Sequence, residues 1–395
     1  MHDVIEAARS LAPQIRAAAD QFEVDRQLTP DIASAMSEAK LLTLLTPAAY
    51  GGAEAEPMIA MRAVEQLGMA DGSAGWLATN SSYEAALLAW LAPATIEQMR
   101  APDPQFRMAG AIQPQGTAYA VQGGYRVSGH WDFVSGIMHA NWVTAGVFLL
   151  DGPNGERLQD AHGDPASRVT FLARDQGRIV DAWDTMGMRG TGSHDFIVED
   201  QFVPAERTMR PDEPAAVPSP RYREPFVQTW GWCSHGANAL GIARGALEDL
   251  TELAQHRASK VTPALLRDRP QLQRAVAEAE AIVRAARAFL FEAVEAAWTA
   301  ACDGDRDAPA EAAGAELSRE AERLNWQARL ALTHAVYEAG RAVGLLYDTV
   351  GTPAIFRANR LERAFRDLNV AKHHVAASRR HYETVGSVLL GSRKP

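Results

Sequence analysis

The chain of 395 residues has only two cysteines, Cys233 and Cys302, and they lie far apart without the spacing of metal ligands. It also has no HExxH, CxxC or GxSxG motif, so neither a zinc site nor a serine hydrolase is indicated. Two unpaired thiols are typical of a reducing compartment, and we expect buried cysteines in a cytoplasmic protein.

Runs of one charge and long apolar runs are also missing. The formal net charge is −10 and no Lys/Arg-rich run occurs, which disfavours nucleic acid or an anionic membrane as partner. No apolar run approaches the ~20 residues that cross a bilayer. The N-terminus lacks a basic region followed by an apolar one, so no signal peptide is expected. A small-molecule substrate remains the partner to consider.

The apolar content of 47% is ample for large cores, and the length exceeds the ~100–200 residues of one domain. Helical periodicity dominates residues 1–104, where prolines 30 and 57 are placed to open helices. Short β-branched and aromatic runs between glycine-rich turns predict an antiparallel barrel or sandwich over residues 105–215. Residues 216–395 again have helical periodicity. The sequence therefore predicts an α+β protein with an N-terminal helical domain, a central β domain and a C-terminal helical bundle.

Three or four long helices are expected in the C-terminal part. Apolar residues from Leu272 to Val294 step by threes and fours, and residues 303–305 are predicted to end that helix. A second helix is predicted through Leu317 to about Leu346, and a last one from Leu361 through His381. Bundles of this length often associate with copies of themselves.

Four segments stand out against this background. Residues 72–85 read GSAGWLATNSSYEA, residues 129–136 read GHWDFVSG, residues 187–204 read GMRGTGSHDFIVEDQFVP, and residues 366–374 read RDLNVAKHH. With the helical–β–helical order, these segments resemble the acyl-CoA dehydrogenase superfamily across nearly the whole chain. The first and third segments are similar to its branch of two-component flavin-dependent monooxygenases.

The resemblance implies a flavin site between the second and third segments. Phe133 would be the aromatic residue beside the flavin ring, and Val134 and Ser135 would follow it along the polar edge. Thr191 and Ser193 could donate hydrogen bonds from the glycine-rich third segment. A flavin needs such surroundings because it is a flat apolar ring with a hydrogen-bonding rim.

Arg269 stands where the dehydrogenases have an arginine that reaches a flavin phosphate, often across a subunit interface. A guanidinium suits phosphate because its planar fork pairs with two oxygens. The motif departs from the family at Leu272 and Gln273, which replace phenylalanine and glycine. FMN or a loosely held FAD therefore fits better than a permanently bound FAD, and a plain surface arginine is the alternative.

The end of the fourth segment changes the expected chemistry. In register with Arg366, the catalytic glutamate of the dehydrogenases falls at Val375, and His374 precedes it. Loss of that base argues against desaturation of an acyl thioester. The resemblance instead implies an oxygenase component that receives reduced flavin, FMN or FAD, from a separate flavin reductase and uses O2. His374 would deprotonate a phenol or handle the proton of a C4a-(hydro)peroxyflavin, with His373 as the alternative.

The first segment departs from the monooxygenases, because Glu84 stands where they carry an active-site histidine. Trp76, Asn80 and Glu84 share one helix face, with Tyr83 beside it. If this face lines the pocket, a carboxylate meets the substrate and takes part in catalysis, which favours an amine or other basic substrate or a different proton path. Otherwise Glu84 is solvated or paired with arginine. His139 follows the second segment and is either near the ring or a structural histidine.

Three functions stay open at this point. The first is an oxygenase component that hydroxylates a small aromatic or heteroatom-containing substrate. The second is an FAD-bound dehydrogenase or oxidase whose base has moved, with Glu84 as the candidate. The third is a non-catalytic flavin-binding relative. A homotetramer is implied by the resemblance in each case.

Overall fold

The computed structural model describes residues 3–210, 212–223, 225–256, 265–306 and 319–392. Helices α2, α3 and α5 each begin with a proline at the first helical position, where its fixed φ fits and its missing N–H costs no hydrogen bond. The N-terminal helices are α1 Val4–Asp25, α2 Pro30–Glu38, α3 Pro57–Ala70, α4 Gly72–Ala86 and α5 Pro93–Arg100.

Helix α4 is the central helix of this part. Asp71 caps its N-terminus by accepting hydrogen bonds from the backbone N–H groups of Ser73 (2.9 Å) and Ala74 (3.2 Å). Its residues are buried on nearly every side, as the predicted run from 74 to 91 requires, and a short turn at Leu87–Trp90 continues it. The helix is therefore held rigidly between its neighbours.

The central strands form one seven-stranded sheet in the order β5-β6-β2-β1-β3-β4-β7. All neighbouring pairs are antiparallel except β1 and β3, which are parallel, so the sheet is mixed. The predicted fold class is confirmed with this refinement, while the predicted domain boundaries stay predictions. The strands are β1 Met108–Val121, β2 Gly124–Trp131, β3 Trp142–Leu150, β4 Ser167–Ala173, β5 Arg178–Val180, β6 Asp195–Pro204 and β7 Thr208–Met209.

The C-terminal part is helical as predicted. Along the predicted seam of α7, Val276 is half-buried and the other apolar residues are buried, so the seam packs against the bundle. The buried residues are Leu272, Ala279, Val283, Ala286, Leu290 and Val294. Cys233 is buried on α6, whereas Cys302 on α7 is only half-buried. Among the helices that the structure describes, none is long and apolar enough to cross a membrane. The helices are α6 Phe226–His256, α7 Pro270–Arg306, α8 Arg319–Val350, α9 Arg360–Ala371 and α10 Arg380–Leu389.

Two predicted helix ends are wrong, and one prediction lies outside the described residues. Residues 303–305 do not end α7, which continues to Arg306. The last predicted helix is two helices, because α9 ends at Ala371 and His374 adopts extended backbone angles (φ −66°, ψ 145°). The His374 side chain accepts a hydrogen bond from the Ala376 N–H, which competes with a continued helix. Leu317 is not among the described residues.

Candidate active site

A cavity of about 410 Å³ lies between α4, the sheet, α6 and the turn that follows α9. It is mostly apolar and aromatic, with a few polar groups, which is typical of a small-molecule site. It brings together four segments that are far apart in the chain. The predicted residues in its lining are Trp76, Asn80, Tyr83, Glu84, Phe133, Ser135, Ser193, His373 and His374.

Four predicted site residues are not in this lining. Val134 is fully buried, and its N–H donates to the His194 carbonyl. Thr191 lies one hydrogen bond behind the lining, on Ser193. Arg269 is half-buried immediately before α7. His139 was a candidate for the substrate side of the ring, with a structural role as the alternative, and the chain turns at Gly136 (φ +80°) and places it outside the cavity.

His139 behaves instead as a structural residue. Its carbonyl accepts a hydrogen bond from Arg107 Nε at 3.0 Å, and its Nε2 is buried with no hydrogen-bond partner among the described residues. Burial lowers the pKa of His139 to about 4, so its ring is neutral at pH 7.

A chain of hydroxyl groups ends in the cavity wall, and the Met188 carbonyl at its far end sets the direction of its protons. Thr191 Oγ1 donates to the Met188 carbonyl at 2.8 Å, so Ser193 must donate to Thr191 across 2.7 Å. Ser135 must then donate to Ser193, also across 2.7 Å. Trp76 Nε1, which only donates, reaches Ser135 Oγ at 3.2 Å. Ser135 therefore keeps one lone pair, and it offers an acceptor to any ligand in the cavity.

Two histidines and a tryptophan form an aromatic cluster in the lining. The His235 ring lies 4.4 Å from the Trp76 ring and 4.5 Å from the His374 ring, centroid to centroid. His374 also meets Trp76 edge-on at 5.2 Å. His235 lies on α6 and was not predicted, because nothing in its local sequence separates it from an ordinary buried helix residue.

Burial keeps both histidines neutral. It lowers the pKa of His374 to about 4 and holds that of His235 well below its ordinary value, with the neighbouring His374 as a second cause. His374 Nδ1 accepts the Ala376 N–H at 3.3 Å, so the neutral ring carries its proton on Nε2. His374 is therefore a hydrogen-bond donor at Nε2 in this state.

Glu84 lies on the predicted face of α4 together with Trp76 and Asn80. Its carboxyl accepts a short hydrogen bond from Thr144 Oγ1 on β3, and its side chain is only 5% exposed. Burial raises the pKa of Glu84 to about 7, while the Thr144 hydrogen bond opposes the rise. The alternative of a solvated or arginine-paired carboxylate is wrong, since the described residues place no arginine on it.

The cavity fits a flavin ring on its shape and polar edge. Phe133 is 66% exposed at its mouth, with left-handed backbone (φ +57°), and meets Trp183 edge-on at 6.2 Å. A large aromatic side chain held in solvent by a costly backbone conformation is expected where a flat ligand covers it. The Ser135 acceptor supplies the matching hydrogen-bonding edge. Trp183 and Trp232 line the cavity as well and were not predicted as site residues.

The likeness to known proteins agrees with this geometry. The acyl-CoA dehydrogenase N-terminal domain matches residues 3–98, and the acyl-CoA dehydrogenase C-terminal domain matches residues 233–379. An indole-3-acetate monooxygenase of Pseudomonas putida is 32% identical over 96% of this chain and 91% of its own. The chain belongs to the acyl-CoA dehydrogenase superfamily. Its resemblance to that superfamily is thereby confirmed, and the relative is a monooxygenase rather than a dehydrogenase.

Two further members of the superfamily support the same grouping. The flavin-dependent monooxygenase oxygenase subunit HsaA of Rhodococcus jostii (strain RHA1) is 29% identical over 93% of this chain and 92% of its own. The crystal structure of 3-HSA hydroxylase from Rhodococcus sp. RHA1 superposes with a TM-score of 0.85 at 26% identity, covering 99% of this chain and 97% of that chain. Within the superfamily, this chain therefore groups with the flavin-dependent monooxygenases, which are oxidoreductases.

Proposed function

We propose that this protein is the oxygenase component of a two-component flavin-dependent monooxygenase, which uses reduced flavin and O2 to oxygenate a small aromatic or heteroatom-containing substrate. The observation that carries the proposal is the acceptor that Ser135 presents in an aromatic cavity. Reduced flavin has an N–H at N5 that such an acceptor can bind, whereas oxidised flavin has only a lone pair there. The cavity wall is thus complementary to the reduced form.

A bond between Ser135 and N5 of the ring determines which other residues would bind the flavin. Reduced flavin, when bound, supplies the electrons that activate O2. Ser135 accepts from the ring, held in place by Ser193 and Thr191 behind it, and Phe133 covers an edge of the ring. Val134, between Phe133 and Ser135, is buried in the core and anchors this segment. Together these residues fix the ring against the wall that carries His374.

His374 is the residue we assign to proton handling. In the neutral ring the Nε2–H is a hydrogen-bond donor, so it stabilises negative charge that develops on oxygen. The same group can then supply a proton to that oxygen or take it back. The aromatic walls exclude water, which protects a reactive oxygen species from loss as hydrogen peroxide. Glu84 faces the substrate, and Trp76, Asn80 and Tyr83 shape its space. His373 also lines the cavity and is the alternative to His374.

Partners and assembly belong to the same proposal. The word "subunit" in the name of the Rhodococcus jostii relative implies a partner protein, which we take to be a separate flavin reductase in the cytoplasm. Arg269 lies outside the cavity lining, at the start of α7, so it would bind a flavin phosphate of a neighbouring copy in a homotetramer. Its guanidinium can pair with the phosphate of either FMN or FAD.

The proposal is tested by supplying reduced flavin directly. Protein is mixed anaerobically with chemically reduced FMN or FAD and then with ¹⁸O2 and a panel of aromatic compounds that includes indole, resorcinol and phenol. We expect a product that contains one ¹⁸O atom, with no reductase present. Quantitative formation of H2O2 and no oxygenated product, with either flavin and every compound, would contradict the proposal.

A second function is favoured by one observation, the buried Glu84 with its pKa near 7. A carboxyl of that pKa in a dry cavity can abstract a carbon-bound proton, as a dehydrogenase or oxidase with a relocated base requires. This function predicts a yellow protein on purification that is bleached without O2 by an acyl thioester or an amine. A colourless protein that turns over only with added reduced flavin excludes it.

A further inference from the structure

The carboxyl of Glu84 is a buried hydrogen-bond acceptor in the cavity whose ligand the proposed function leaves open. It projects from α4 into the space beside Trp76 and Tyr83 and is held from one side by Thr144 on β3. Among the described residues, Thr144 is its only hydrogen-bond partner. Buried polar groups are normally satisfied, so the other carboxyl oxygen is available to a ligand.

The charges around this carboxyl point to the kind of ligand. Within the described chain, the cavity lining includes two acidic residues, Glu84 and Asp132, and neither lysine nor arginine. The Arg329 guanidinium lies 4.9 Å from the centroid of the Trp232 ring, but it donates to Gln228 and Thr229 instead of facing the cavity. A carboxylate on the substrate would therefore be buried beside acidic groups without a counter-ion, which costs several kcal/mol.

We propose that Glu84 recognises the ring N–H or O–H of an uncharged aromatic substrate, and that this cavity excludes aromatic acids. The inference rests on the proposed function and deepens it by naming the substrate class. An uncharged donor satisfies the Glu84 oxygen without bringing a second charge into an apolar space, and the flat walls of Trp76, Trp183 and Trp232 match an aromatic ring. This class differs from the acid named for the Pseudomonas putida relative.

The test is a binding experiment that needs no oxygen chemistry. Isothermal titration calorimetry under anaerobic conditions compares indole, benzofuran and indole-3-acetate, on the protein alone and with saturating reduced FMN or FAD. Benzofuran has the shape of indole without its N–H, and indole-3-acetate adds an anion. We expect indole to bind about 10- to 100-fold more tightly than benzofuran, as one hydrogen bond to a carboxylate implies. We expect indole-3-acetate to bind at least tenfold more weakly than indole.

Two variants separate Glu84 from the rest of the cavity. Glu84→Leu should bind indole and benzofuran equally, because it removes the acceptor and keeps an apolar surface. Glu84→Gln keeps the shape but does not titrate. In the wild type, the preference for indole over benzofuran should grow as pH rises through about 7, since the ionised carboxylate is the better acceptor. In Glu84→Gln that preference should be flat with pH.

Both variants keep every other titratable residue of the lining. These residues are Tyr83, Asp132, His235, His373 and His374. A preference for indole that survives in Glu84→Leu, or a pH dependence that survives in Glu84→Gln, would overturn the proposal. So would tight binding of indole-3-acetate. Because binding is measured without O2, failure of oxygenation with normal indole binding would instead refute the proposed function alone.

Discussion

The imidazole rings of His235 and His374 lie 4.5 Å apart, one on α6 and the other in the turn after α9. Burial disfavours charge on both, and a proton on His374 further lowers the pKa of His235. Near neutral pH both rings are therefore uncharged. A proton that arrives on one ring is readily released, which suits a site that passes protons to and from oxygen.

Replacing His374 with alanine should lower oxygenated product about 100-fold and divert reduced flavin to H2O2. The physical reason is the loss of the Nε2–H that stabilises charge on oxygen. Product is measured by mass spectrometry and H2O2 by a peroxidase assay in the same reaction. The matched control is His373→Ala, which should stay within a few-fold of the wild type. The reverse pattern would assign the proton role to His373.

Replacing Thr191 with valine should reduce the preference for reduced over oxidised flavin about tenfold. The substitution removes the hydroxyl that fixes the proton direction, so Ser193 and Ser135 can reverse and Ser135 can donate to oxidised flavin. Dissociation constants for both flavin states are measured by fluorescence and calorimetry. Thr79→Val is the control, because Thr79 bonds the Gly75 carbonyl within α4 and lies outside the cavity lining. An unchanged ratio in Thr191→Val would refute the fixed direction.

Replacing Glu65 with glutamine should lower the free energy of unfolding by about 1–3 kcal/mol. Glu65 on α3 is buried and forms a bidentate ion pair with Arg287 on α7, with N–O distances of 2.6 and 2.8 Å. Denaturant titration measures the loss. The exposed pair of Arg323 and Glu320 is the control, and Glu320→Gln should shift the denaturation midpoint much less than Glu65→Gln does. Equal losses of stability in the two variants would show that the buried ion pair stabilises the fold no more than the exposed pair does.

Replacing Asp367 with asparagine should flatten the fall in stability between pH 5 and pH 8. Asp367 accepts the Met188 N–H at 2.6 Å, and burial, followed by the nearby Asp71, raises its pKa to about 8. Between its unfolded pKa of about 4 and this value, the folded protein holds a proton that the unfolded chain has lost. The free energy of unfolding of the wild type therefore falls as pH rises through that window.

An asparagine at position 367 keeps the acceptor for Met188 and has no proton to lose. Thermal melts at pH 5, 6, 7 and 8 should show a shallower slope for Asp367→Asn and, at pH 8, a melting temperature at or above that of the wild type. Asp184→Asn is the control, since its exposed carboxyl has a lowered pKa and stays ionised across the window. An unchanged slope in Asp367→Asn would mean that Asp367 is ionised in the folded protein.

Local sequence patterns predicted the structural features that depend on residues close together in the chain. Trp76, Asn80 and Glu84 could be placed on one helix face because four-residue spacing is a property of the helix itself. The order of helical, β and helical parts followed from periodicity and turn residues. These features were determined by the sequence because each is encoded within a few turns or strands.

Tertiary structure decided how these parts meet. The Glu84 carboxyl and the Thr144 hydroxyl lie 60 residues apart in the chain, and only the packing of α4 on the sheet joins them and buries the carboxyl, which raises the pKa of Glu84. His235 could not be selected from its neighbours, because its role comes from contact with a ring in the turn after α9. His374 was assigned to a helix that ends before it, since a bond to Ala376 outweighs local helical pattern there. Burial and hydrogen-bond direction arise from contacts between distant segments, and a linear pattern does not encode them.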